Sequence, residues 1–201
     1  MGIDLFFSTM ERLTPQLRAG DLQACEVAAI DTLLALTKSP FHIAAGLNIT
    51  NDPNDIAKHF DRFFRTESAR SDVQAAYTEM NGFDINPDRW YCDLFAYDHD
   101  GGLDDFDWLS DWQSEYFEDY TIKGLEPLQA VFASDAFHDE QYNDAAYISG
   151  LVVVAKFQRF MQLAAQQMKD LSVPLYVTAH DYDYIARITP SGNPKDRRTK
   201  R

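Results

Sequence analysis

Hydrophobic residues recur at helical spacing in the first third of the chain. Asp21 is a typical N-cap residue, and the apolar stripe that follows it stops before Pro40. Asp52 followed by Pro53 repeats this start signal. The pattern predicts two helices, with buried stripes formed by Leu22, Cys25, Ile30, Leu33, Leu34 and Leu36 in the first and by Ile56, Phe60, Phe63 and Phe64 in the second.

The period of the pattern then changes to that of a β-strand. Residues 73–78 alternate with a period of two, and residues 90–97 are rich in the aromatic side chains that favour strands. An Asn-Pro-Asp turn sequence lies between them, at 86–88. We therefore predict a β-hairpin with a bulge or irregularity at Gly82 in its first strand.

A long helix is predicted over residues 143–171, which are apolar nearly all round at first and amphipathic later. Residues 175–179 and 184–188 have strand composition and predict a second hairpin around a polar turn. A further strand is predicted within either 121–125 or 128–132.

These elements together predict an α+β fold, in which an antiparallel sheet of hairpins packs against the N-terminal helices and one long buried helix. A chain of 201 residues is long enough for one hydrophobic core, so we expect residues 1–190 to form a single domain. Residues 191–201 lack periodic apolar positions and carry five basic side chains and one acidic one. We expect a basic, disordered tail there.

The strongly negative charge excludes several classes of partner. The formal net charge is −14 at pH 7, and removing the +4 of the tail leaves −18 on residues 1–190. Such a charge repels nucleic acids and anionic membranes and attracts basic proteins. The chain shows neither the basic region of a signal peptide nor a segment apolar enough to cross a bilayer. We therefore expect a bacterial, cytoplasmic protein with a basic protein partner and no binding to nucleic acid or membrane.

Cysteine usage and sequence motifs give no sign of a cofactor. Cys25 and Cys92 are the only cysteines, and we expect both to be reduced core residues. Motifs for a phosphate-binding loop, a dinucleotide-binding turn, a nucleophile elbow and a C-x-x-C redox site are all missing. The sequence favours a non-enzymatic function without a cofactor or metal.

The most distinctive segment, 90–122, interleaves ten acidic and ten aromatic residues and contains no Lys or Arg. Its middle predicts a loop that leads into a short helix. On that helix Trp108 and Trp112 would share one face, and Asp107 and Asp111 another. Because acids at helical spacing repel one another, we expect a surface that tolerates them to face a cationic partner.

The leading hypothesis is therefore a non-enzymatic protein-binding module of the immunity or inhibitor type, which presents an acidic aromatic face to a basic partner. Aromatic side chains beside acids supply the desolvated anchors that are typical of binding hot spots. Many small acidic bacterial proteins are immunity or inhibitor proteins, which is an analogy of class only. The predicted partner-binding residues are Asp98, Asp100, Asp104, Asp105, Asp107, Trp108, Asp111, Trp112 and Glu115.

Two metal sites are alternatives for the same region. The aspartates within 98–105 would supply oxygen ligands for calcium. The EF-hand pattern fails, because Leu103 stands at the glycine turn position and Leu109 at that of the bidentate glutamate. His99 and His180 would bind a transition metal together only if their loops meet in space.

The alternative function is a hydrolase that depends on carboxylates or on a divalent metal. Glycosidic chemistry needs a carboxylic acid and a second carboxylate, and sugars stack on aromatic rings. The candidate carboxylates are Glu79, Asp93 and Asp98, provided that the hairpin and the His180 loop line a pocket. The sequence assigns no individual catalytic role to any of them.

Overall fold

A computed structural model describes residues 2–190 of the chain, so the predicted tail, 191–201, lies outside the described residues. The helices within this range are α1 (Gly2–Arg18), α2 (Leu22–Leu34), α3 (Ile43–Gly46), α4 (Pro53–Ser68), α5 (Glu126–Phe132) and α6 (Asn143–Ala165). The strands are β1 (Ala75–Asn81), β2 (Tyr91–Tyr97), β3 (Tyr120–Thr121), β4 (Leu175–Ala179) and β5 (Ala186–Ile188). Short 3₁₀ turns lie at Pro40–His42, Asp107–Ser110, Asp135–His138 and Glu140–Tyr142.

The two predicted N-terminal helices begin at their predicted caps. The Asp21 carboxylate accepts a hydrogen bond from the Ala24 amide at 3.1 Å, and the Asp52 carboxylate accepts one from the Asn54 amide at 2.9 Å. Each bond satisfies an amide that has no partner within its own helix. Both helices are confirmed, although Leu34 of the first predicted stripe is 56% exposed and Leu36 lies beyond the end of α2. Helix α1 is an additional helix that was not predicted as a separate element.

The five strands form one sheet in the order β3-β2-β1-β4-β5. Both predicted hairpins pair as antiparallel strands, β1 with β2 and β4 with β5. The prediction of a wholly antiparallel sheet is wrong, because β1 and β4 are parallel neighbours. The long connection between them passes through α6 and brings β4 into the sheet in the same direction as β1.

The predicted third strand is much shorter than expected. β3 contains only Tyr120 and Thr121, which pair with Cys92 and Tyr91. The alternative prediction of a strand over 128–132 is wrong, since these residues belong to α5, whose first turn contains a proline. The predicted irregularity at Gly82 falls just beyond the end of β1.

Helix α6 forms the centre of the hydrophobic core. It packs between α1, α2 and α4 on one side and the sheet on the other. Val152, Val153 and Val154 are all fully buried. The prediction of one long buried helix is confirmed, although the helix ends at Ala165 and not near residue 171.

We call the opposite face of the sheet the outer face, and the apolar residues clustered on it belong to none of the helices α1 to α6. A smaller apolar cluster covers part of it, formed by Ala75, Tyr77, Tyr97, Trp108, Tyr176 and Ile185. Residues 98–119 supply Trp108 and the loop around it, and we call this segment the acidic strap. The strap therefore places the distinctive acidic and aromatic residues on the outer face of the sheet.

Two composition-based expectations are tested within residues 2–190. Cys25 and Cys92 are free and buried, as expected. Burial raises the pKa of the Cys92 thiol to about 12, so it is unreactive at neutral pH. The described helices include none with the length and hydrophobicity needed to cross a membrane.

Candidate functional site

The acidic strap does not form the predicted helix. A single 3₁₀ turn spans Asp107–Ser110, and residues 111–119 have no regular secondary structure. Outside a helix, acidic side chains four residues apart are not held on one face, where they would repel one another. The free edge of β2 offers hydrogen bonds that replace those of a helix. The helix prediction is wrong because this tertiary contact outweighs the local periodicity.

Two attachments hold the acidic strap along the edge of β2. The Gln113 amide donates to the Ala96 carbonyl at 3.0 Å, and the Ala96 amide donates to the Ser114 hydroxyl, also at 3.0 Å. Further along the chain, β3 pairs with the beginning of β2. Between these attachments an open groove separates the strap from the strand.

This groove has a volume of about 440 Å³ and is lined by acidic and aromatic side chains. Strand β2 contributes Tyr91, Asp93 and Phe95, which point to the outer face because side chains alternate along a strand. From the strap, Trp112 packs on Phe95 with ring centroids 5.3 Å apart, yet it stays 51% exposed. Tyr116 is 87% exposed. Large exposed aromatic side chains in a concave surface are typical of a binding site.

Of the ten residues that line this groove, only Trp112 and Glu115 belong to the predicted set of partner-binding residues, and Tyr91 and Tyr116 are among the eight that are missing from it. The predicted strand over 90–97 contains a usable signal for Tyr91, because the odd-numbered positions of a strand share one face. On the predicted helix Tyr116 would share the face of Trp108 and Trp112, but its exposure depends on the path that the strap takes along β2.

Arginines from elsewhere in the chain partly neutralise the acidic strap. Five of its nine acidic side chains form ion pairs with arginines that lie outside the strap. These pairs are Asp100 with Arg187, Asp104 with Arg18, Glu115 with Arg70, Glu118 with Arg62, and Asp119 with Arg89. The lack of Lys and Arg within the segment therefore overstates the charge of the folded surface.

Four acids of the strap, Asp98, Asp105, Asp107 and Asp111, form no ion pair with Lys or Arg within residues 2–190. Asp98 contacts the neighbouring His99 at 3.0 Å. All four carboxylates belong to exposed residues. They are the uncompensated part of the predicted acidic face.

Asp100 and Trp108 anchor the strap to the sheet. The Asp100 carboxylate accepts a hydrogen bond from the Tyr176 hydroxyl and pairs with Arg187 at 3.0 Å. Burial alone would raise the pKa of Asp100, but these hydrogen bonds outweigh burial and lower it. Trp108 is buried, and its indole N–H donates to the Gly102 carbonyl at 3.2 Å. Asp100 and Trp108, both predicted partner-binding residues, therefore form contacts within the protein. Trp112 is the tryptophan whose side chain is exposed.

Glu79 on β1 lies directly opposite Asp93 on β2, so two carboxylates meet on the outer face. Glu79 accepts a hydrogen bond from the Tyr77 hydroxyl at 2.8 Å and contacts Nδ1 of His180 at 3.2 Å. A second groove of about 290 Å³ contains Glu79 and His180, and it shares the walls of Phe95 and Trp112 with the first. The structure thus brings together the hairpin and the His180 loop, as the hydrolase hypothesis requires.

Asp98, the third candidate carboxylate, lies outside both grooves. It follows the end of β2, where it is exposed beside His99. The assembled pair is therefore Glu79 and Asp93.

The ionised form of Asp93 is electrostatically unfavourable in this environment. Burial, together with the nearby carboxylates of Asp119 and Glu79, raises the pKa of Asp93 to about 6. Its carboxylate accepts a hydrogen bond from the Asn81 side chain at 2.7 Å, and within residues 2–190 it forms no ion pair. Above pH 6 a half-buried negative charge therefore lies at the floor of the groove, and a bound cation would stabilise it.

The proposed metal ligands are not assembled in the described part of the chain. No group of three or more His, Cys, Asp or Glu side chains there has an arrangement that would hold a metal ion. His99 contacts Asp98 and lies near Trp108, while His180 contacts Glu79 and Asp181. Neither the calcium loop nor the histidine site receives support.

Comparison with protein-family models, with curated proteins and with solved structures gives no match to this chain. The function has to be argued from the geometry and charge of the outer face.

Proposed function

We propose that this protein is a non-enzymatic binding module of the immunity or inhibitor type, which captures a basic protein partner on its outer face. The observation that carries the proposal is the groove between β2 and the acidic strap, where the exposed Trp112 and Tyr116 adjoin carboxylates. Aromatic anchors contribute most of the affinity in such interfaces, and surrounding charges steer the partner toward them.

The charge distribution supports a basic partner. Asp105, Asp107 and Asp111 are exposed on the strap that carries Trp112, and no Lys or Arg of the described residues pairs with them. The net charge of −14 accelerates encounter with basic proteins at low ionic strength. The five ion pairs between the strap and distant arginines also order this face in advance, which lowers the entropy cost of binding.

Removal of the uncompensated charges tests this proposal. We expect a quadruple variant to lose most of its association with the basic partner while the fold survives. It carries Asp98→Asn, Asp105→Asn, Asp107→Asn and Asp111→Asn. The rate of association should fall for wild type as salt is added and should depend much less on salt in the variant. The measurement is capture from the lysate of the source organism at low and high salt, followed by identification of the captured protein and by binding kinetics with that purified protein.

A matched control separates local from global charge. It removes four exposed acids outside the strap, through Glu11→Gln, Asp31→Asn, Asp135→Asn and Glu140→Gln. Both quartets change the net charge by the same amount, so only the strap quartet should weaken binding strongly. Equal loss in both variants, or capture of proteins that are not basic, would contradict the proposal.

The second candidate function is carboxylate-dependent hydrolysis of a glycosidic bond. The observation that favours it is the position of Glu79 opposite Asp93, together with the pKa of about 6 at Asp93. A carboxyl group with a raised pKa donates a proton near neutral pH, and an adjacent carboxylate then acts as nucleophile or base. Aromatic walls beside the pair suit a sugar ring.

A panel of chromogenic glycosides tests this second candidate. Glu79→Gln and Asp93→Asn should each lower kcat by at least about a hundredfold, as expected for loss of an acid or base. Asp98→Asn, which alters the candidate carboxylate outside both grooves, should leave kcat unchanged. The rate should fall as pH rises above 6, because Asp93 loses the proton that it must donate. Absence of turnover across the panel would remove hydrolysis as a candidate.

A further inference from the structure

Arginine side chains of this chain bind to the strap and the outer face in a recurrent way, in which each pairs with a carboxylate and also lies near an aromatic ring. Two such sets are Arg89 with Asp119 and Tyr91, and Arg187 with Asp100 and Tyr176. A third set is Arg62 with Glu118 and Phe117. These three sets indicate that this surface accommodates guanidinium groups.

Arg89 shows the binding geometry most clearly. Its two terminal nitrogens donate to the two carboxylate oxygens of Asp119, each at 2.7 Å. Its guanidinium carbon lies 4.4 Å from the centre of the Tyr91 ring. Bidentate pairing and contact with an aromatic face are both favourable to a guanidinium group. Arg89 lies immediately beside the groove, because Tyr91 and Asp119 both line it.

Asp93 is a carboxylate beside aromatic rings that lacks such an arginine in the described part of the chain, and unlike Glu79 it contacts no histidine there. Asp93 lies in the groove with Phe95 and the half-exposed Trp112, and its side chain is paired only with the Asn81 amide. The groove is open to solvent and extends over about 440 Å³. At Asp93 the carboxylate and the aromatic rings are present, and a cationic group from another molecule would complete the arrangement.

We propose that this groove receives an arginine side chain of the basic partner, whose guanidinium group pairs with Asp93 and stacks on Trp112. The inference rests on the proposed function and specifies the anchor of that interface. Arginine is favoured over lysine because its planar group is weakly hydrated, pairs with a carboxylate through two bonds and stacks on rings. A lysine ammonium would lose more hydration beside Phe95 and Trp112.

Binding of the anchor depends on pH in a defined direction. The charged groups that face Asp93 are Glu79 from β1, Asp119 from the strap, Arg89 before β2 and His180 after β4. The guanidinium group binds the ionised form of Asp93, so binding should lower the pKa of Asp93 below about 6. The affinity should therefore increase from about pH 5 to about pH 7.

The experiment titrates the full chain with N-acetyl-arginine amide and, in parallel, with N-acetyl-lysine amide. NMR reports the Asp93 carboxyl carbon and the Trp112 indole N–H. We expect the arginine probe to bind at about millimolar concentration and to shift both signals. Asp93→Asn should weaken this binding at least about tenfold, whereas the charge-matched Asp31→Asn, at an exposed position on α2, should change it by less than about twofold. Trp112→Ala, at an exposed position, removes the ring and should weaken binding while the carboxylate stays.

Several results would overturn the inference. These are a lysine probe that binds as tightly as the arginine probe, an unshifted Asp93 signal, or equal weakening by Asp93→Asn and Asp31→Asn. If the arginine probe binds but no basic protein is captured, the proposed function fails and the guanidinium site stands. If a basic protein is captured with the same affinity by Asp93→Asn, the anchor is wrong and the proposed function stands.

Discussion

Val153→Asp is expected to leave no folded protein at room temperature. Val153 is fully buried in the centre of α6, where the helix packs between the sheet and the N-terminal helices. A desolvated carboxylate at this position costs more than about 5 kcal/mol, which is comparable to the total stability of a domain of this size. Circular dichroism and the dispersion of the amide NMR spectrum measure the loss of structure directly.

The control is Leu163→Asp on the same helix. Leu163 is 46% exposed, so its replacement should lower the free energy of unfolding by only about 1 kcal/mol. A cooperative melt of Val153→Asp near the wild-type temperature would show that α6 is not the centre of the core. Unfolding of both variants would attribute the effect to the helix itself and not to burial.

Gly124→Ala is expected to lower the free energy of unfolding by about 3 kcal/mol or more, because backbone strain and a steric clash add together. Gly124 has a φ of +95°, which is costly for a residue with a side chain. An added Cβ would overlap the carbonyl oxygen of Asn48 and crowd Thr50. These atoms cannot move freely, since the Thr50 amide donates to the Lys123 carbonyl at 2.9 Å. Chemical denaturation with tryptophan fluorescence measures the change.

The matched control is Gly102→Ala. Gly102 also has a positive φ, of +78°, but an added Cβ there would meet no atom within 4 Å. This variant should lose only the strain contribution, about 1 kcal/mol. Equal destabilisation of the two variants would show that the backbone around Asn48 and Gly124 rearranges at little energetic cost. The contact between these residues would then not fix the position of the end of β3.

The helices were predictable wherever a local signal marks them. Asp21 and Asp52 are caps whose side chains bond amides two or three residues away, so no distant part of the chain is needed to place them. The long helix α6 follows from its nearly uniform apolar composition. Helix α1 is different, because it was not predicted as a separate element, although its residues belong to the first third of the chain, where hydrophobic positions have helical spacing.

The strap shows where local reasoning fails. Its tryptophans and acids have helical spacing, yet Gln113 and Ser114 form hydrogen bonds with Ala96 and attach the segment to the edge of β2. Nothing within the segment indicates that β2 has a free edge at this point, since this edge is free only because β3 pairs with no more of β2 than Tyr91 and Cys92. The predicted acidic aromatic residues therefore occupy different environments, from the buried Trp108 to the exposed Asp111.

By itself the sequence determined the negative charge, the α+β class, the main hairpins and the long buried helix, because composition, capping residues and short-range periodicity specify these features. Only the tertiary structure decided that Glu79 meets Asp93, since that depends on the register of two strands. It also decided which acids remain uncompensated, because their partners are distant in sequence: Arg187 lies 87 residues from Asp100. The groove beside Asp93 exists for the same reason, as strand pairing and these long-range ion pairs together set the path of the strap.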